Sequence, residues 1–83
     1  MSDYISNFIY KAESLKEAAE ILNKEEVKFS KIVTHAGTIF FYFLNERNHK
    51  VAEWSREFGM IIEPIPVYLD KEKLLLYNET KFV

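Results

Sequence analysis

The spacing of apolar positions changes along this chain, and each change of period marks an element. The first clear pattern is helical. Leu15, Ala18, Ala19 and Leu22 fall on one stripe with Ile21 at its edge, while Lys16 with Glu20 and Glu20 with Lys24 pair four apart on the outside. Ser14 and Glu17 have capping-box spacing: the serine hydroxyl can accept from the Glu17 amide, and the carboxylate can return to the Ser14 amide. A helix over 14–25 is predicted. Ahead of it, Phe8-Ile9-Tyr10 reads as a short strand. Ile5, Phe8 and Ala12 would also extend the helical spacing back to about Asp3, but the capping box favours the strand. Residues 27–34 and 38–44 are rich in β-branched and aromatic side chains and read as strands. They are joined at His35-Ala36-Gly37, where glycine allows the positive φ of a tight loop. Val51, Trp54 and Phe58 stand at i, i+3 and i+7 with Gly59 behind them, which predicts a second helix over 47–58. Residues 61–69 are extended, but Pro64 and Pro66 remove donors from one side, so this strand belongs at a sheet edge or in a bulge. Asp70-Lys71-Glu72 reads as a turn, and 73–77 as a last short strand.

The order strand–helix–strand, used twice, predicts an α+β fold. Two helices cover one face of a 4–5-stranded, mainly antiparallel sheet in the ferredoxin-like βαββαβ arrangement, with a short extra strand. If the first segment is helix instead, the order becomes αββαββ. No linker or low-complexity tract divides residues 1–83, so a single domain is expected.

Composition sharpens this picture mainly by exclusion. Of 83 residues, 48% are hydrophobic and 16% aromatic, and the formal net charge is -2. The apolar fraction is that of a folded chain, and the near-cancelled charge argues against general electrostatic nucleic-acid binding. No stretch approaches the roughly 20 apolar residues that span a bilayer, and no basic-then-apolar leader opens the sequence. Neither membrane insertion nor secretion is expected, so the expected location is the cytoplasm. The absence of cysteine excludes disulfides, thiolate metal sites and cysteine nucleophiles.

Candidate chemistry is sparse. His49 and Glu53 would share a face of the second helix at i,i+4, but only His35 could join them, so no metal site is expected. Glu63 is the one acid inside an apolar strand and is expected to point to water. With two glycines there is no phosphate-binding loop, and no serine sits in a nucleophile motif. Neither catalysis nor a cofactor is expected. Trp54 is assigned to the core.

The run Gly37-Thr38-Ile39-Phe40-Phe41-Tyr42-Phe43 is apolar on both sides of a strand, Ile39, Phe41 and Phe43 on one and Phe40, Tyr42 and Leu44 on the other. Two short helices cover only one sheet face, which leaves the other for a partner. Gly37, Phe40 and Phe43 stand where the aromatic strand of RNA-recognition motifs has glycine and aromatics, and over these few residues the run resembles that strand. Ala36, Thr38 and Ile39 depart from the pattern, replacing its basic residue, first aromatic and small residue. The resemblance implies base stacking on exposed aromatics as an alternative function. The leading expectation is a small non-enzymatic interaction or regulatory protein that forms a homodimer or docks on a host protein, as a phage- or virus-encoded factor would. Its expected interface residues are Phe40, Tyr42, Leu44, Tyr68 and Leu75.

Overall fold

The structure is a computed structural model and describes residues 9–35, 37–74 and 77–80. Strand β1 (Ile9–Tyr10) leads into helix α1 (Leu15–Lys24), followed by β2 (Lys31–His35), β3 (Phe41–Leu44), β4 (Lys50–Ser55) and β5 (Gly59–Val67). A single helical turn, α2 (Lys71–Leu74), precedes β6 (Tyr77–Thr80). The strands form one sheet in the order β1-β5-β4-β3-β2-β6, and every neighbouring pair is antiparallel. Five strands have four or more residues, and β1 adds two more at the edge.

This architecture corrects both predicted arrangements. The protein is mostly β, with α1 the one helix longer than a turn among the described residues; it is neither the ferredoxin-like βαββαβ fold nor αββαββ. The predicted helix over 47–58 is β4, a tight turn and the start of β5. Its helical spacing has a physical source. Phe43 pairs with Ala52 and Leu44 with Lys50, which leaves Val51 as an extra residue in β4. A bulge of this kind reverses the alternation of side chains. Val51 and Trp54, three apart, therefore both reach the core, as they would on a helix. Phe58 instead lies in the β4–β5 turn, 59% exposed.

α1 forms as its sequence dictates. The Ser14 Oγ accepts from the Glu17 amide at 3.1 Å. The Glu17 carboxylate reaches the Glu13 amide at 2.9 Å rather than the Ser14 amide, so the box closes one residue early. The helix ends with Glu26 at φ 63°, the Glu26 amide donating to the Asn23 carbonyl and the Val27 amide to that of Leu22. These two bonds satisfy the last carbonyls and turn Val27 back onto the core.

Ala18, Ala19 and Leu22 of α1 pack on Ile32, Phe43, Ala52, Trp54, Met60 and Ile62. The cross-strand registers Ile32–Phe43–Ala52–Ile62 and Phe41–Trp54–Met60–Tyr10 place these residues on one sheet face. Each large side chain buried there contributes about 1.5–3 kcal/mol. Trp54 lies in the core as assigned, although on a strand, and its Nε1–H donates to the Ala12 carbonyl at 2.8 Å. No helix of the described residues is long and apolar enough to cross a membrane.

Candidate interaction surface

The hairpin turns decide what each end of the sheet presents. Between β3 and β4, Asn45 Oδ1 accepts from the Arg47 amide at 2.9 Å and the His49 amide at 3.0 Å. The Asn48 amide donates to the Asn45 carbonyl, and Asn48 takes φ 64°. Asparagine suits both places, since its side chain mimics a turn and it tolerates the left-handed region. His49 therefore sits in a turn, not in the first turn of a helix. Its ring meets the edge of Tyr68, centroids 5.5 Å apart, and it shares no helix face with Glu53. Among the described residues no three His, Asp or Glu side chains converge as metal ligands would. Between β4 and β5, Gly59 takes φ 79°, so its positive φ serves a hairpin instead of a helix end.

The second sheet face carries a charged cluster. Lys50 Nζ lies 2.6 Å from Glu53 Oε1 and 3.1 Å from Glu63 Oε2, and 4.6 Å from the centre of the Tyr42 ring. All three charged side chains are largely covered. Glu63 thus does not project to water as expected, because it answers the ammonium of Lys50. Burial alone would lower the Lys50 pKa, but the hydrogen bonds and charges of Glu53 and Glu63 outweigh it and hold the ammonium above its ordinary value of 10.5.

The residues expected at the interface separate. Leu44 is fully buried. Tyr42 is half-buried under Lys50, and Phe40 is half-buried and stacks on Phe58 with ring centres 6.2 Å apart. Phe43, the other aromatic of the base-stacking pattern, is buried beneath α1. Tyr68 is 68% exposed. Leu75, like Phe8 and Ala36, lies outside the described residues.

Around Tyr68 lies a surface that the face-by-face reading missed. Ile62 pairs with Ala52 and Val67 with Lys50, so Val51 alone faces residues 63–66 of β5. That long bulge contains both prolines, in keeping with one of the two places expected for them. On the other side, β1 pairs only with Met60 and Ile61, so beyond Ile61 the outer edge of β5 has no strand neighbour among the described residues. Ile65 is 73% exposed and Val67 37%, with Pro64 and Pro66 exposed between and beside them. Ile65, Val67 and Tyr68 form an apolar strip at this edge. The signal in the sequence was the pair of prolines inside an apolar run; alternation alone could not locate the strip.

No protein-family model, curated protein or solved structure matches this chain.

Proposed function

We propose that this protein is a small, non-enzymatic interaction protein of the cytoplasm and that it pairs with a second copy of itself through the strip Ile65, Val67 and Tyr68. The observation that carries this reading is the exposure of Ile65 and Tyr68, 73% and 68%, beside a strand segment with no neighbour on its outer side among the described residues. Large apolar side chains placed together in water mark a surface awaiting a partner. Two-fold pairing lets one strip cover its own copy. The contact is one of side chains, because Pro64 and Pro66 cannot donate to a continued strand ladder. A stable pair of this kind would bury roughly 800 Å² per copy.

Light scattering coupled to size-exclusion chromatography tests the proposal. The unmodified protein is expected at twice its 9.9 kDa chain mass and Ile65→Asp at the chain mass, with an unchanged circular dichroism spectrum. A concentration-independent mass of 9.9 kDa for the unmodified protein would overturn self-association.

A further inference from the structure

A cleft of about 700 Å³ adjoins the strip, between the end of α1 (Ala19 and Asn23), the segment after it and the β3–β4 turn. Pro66 forms part of its wall, and His49 in the same wall touches Tyr68, so cleft and strip are one continuous surface. Its base is firm. The Phe29 ring packs edge-on against the buried Phe43 ring with centres 5.0 Å apart, and the Asn45 side chain fixes the turn that carries Arg47 and His49. Its charge is opposite to that of the whole chain. Lys28 and Arg47 outnumber Glu46 in the lining, whereas the chain as a whole carries -2.

We infer that this cleft holds an extended peptide segment of a partner protein, an acidic side chain lying between Lys28 and Arg47 and large apolar side chains continuing along Pro66 and Tyr68, where the peptide and a second copy exclude one another. Charge complementarity selects the acidic residue, because carboxylates are attracted to a rim of this sign and lysine-rich segments are repelled. The form of the site selects a peptide. The cleft is open and runs into an apolar edge some five residues long, roughly 17 Å at strand rise, which outreaches a single small carboxylate. With two prolines at that edge, recognition is by side chains, and the peptide does not enter the sheet. The inference rests on the reading of the strip as a protein-binding surface, but not on self-association.

Selection from a random dodecapeptide display library on the immobilised full chain, beside the variant with Lys28→Glu and Arg47→Glu, tests it. Both substituted residues are exposed, so the fold should survive, and circular dichroism checks this. The expected result is a consensus with Asp or Glu next to two or more large apolar residues on the unmodified protein and its loss on the variant. A synthetic peptide of that consensus should bind at least about tenfold more weakly to the variant, and also more weakly as salt is raised. No enrichment, a basic consensus, or the same consensus on both proteins would overturn the inference. A dimeric mass with any of those results removes this inference alone; a monomeric mass with the acidic–apolar consensus removes only self-association.

Discussion

The two halves of β5 share a strand and little else. Residues 59–62 all pair with β4, Met60 and Ile61 pair with β1 as well, and Met60 and Ile62 are buried beneath α1. Residues 63–66 leave the register and carry both prolines before Val67 rejoins β4, and Ile65 and Val67 are exposed. The same apolar composition therefore has two consequences. Where the backbone is paired, alternation delivers side chains to the core and they contribute to stability. Where proline interrupts the ladder, the side chains of Ile65 and Val67 are left exposed. The glutamate at the junction is held by Lys50, which fastens the bulged half to β4.

Substitutions in the first half should be costly and those in the second nearly silent for folding. Met60→Ala is expected to have the largest effect, roughly 2–5 kcal/mol, because Met60 is completely buried and its loss leaves a cavity. Denaturant midpoints read this directly. Gly59→Ala comes next, at about 2–3 kcal/mol, since its φ of 79° disfavours a side chain and an added Cβ would stand 2.5 Å from the Tyr10 carbonyl oxygen. A neutral Gly59→Ala would mean that β1 does not lie against this turn.

The junction should give a smaller effect. Lys50→Met removes the cation between Glu53 and Glu63 and should cost about 1–3 kcal/mol, less than a fully buried pair because both carboxylates retain some water. Its pH dependence has a fixed sign. The Lys50 pKa is raised on folding, so the stabilisation is complete below the unfolded value near 10.5 and fades as pH rises through the folded one. Thermal melts from about pH 8 to about pH 11 should therefore bring the unmodified protein and Lys50→Met together at the alkaline end. A gap that widened with pH would contradict the assigned role. Smallest of all, Ile65→Asp should change monomer stability by less than about 0.5 kcal/mol, as an exposed position does.

The same contrast explains what could be read from the sequence. α1 was legible because its signals are local: Ser14 and Glu17 act within one turn, and the Ala18, Ala19 and Leu22 stripe needs no distant partner. β4 was not legible, because the bulge at Val51 depends on pairing with β3 and gives a strand the spacing of a helix. The asparagines at 45 and 48, three apart with Glu46 and Arg47 between them, were a hairpin signal that the apparent helical stripe outweighed. The open face was also misjudged. Leu44 does share the face of Tyr42, opposite Lys50, but that face is closed there: Leu44 and Val33, which pairs with Tyr42, are both buried. Glu63 looked solvent-directed because its partner Lys50 is remote in sequence. Of the candidate interface residues among the described ones, Tyr68 is the most exposed. Ile65 and Val67 required the register of β5 against β4, which breaks over residues 63–66 and leaves both side chains exposed.

The central claim is that the bulged half of β5 meets a second copy while the paired half serves the fold. A dilution series of amide nitrogen–proton spectra tests it residue by residue. The expected result is that the resonances moving between about millimolar and about micromolar protein are those of Glu63, Ile65, Val67, Tyr68 and their neighbour His49, with Met60 and Ile62 unmoved. Shifts centred on Phe40 and Tyr42, or none at any residue, would contradict it.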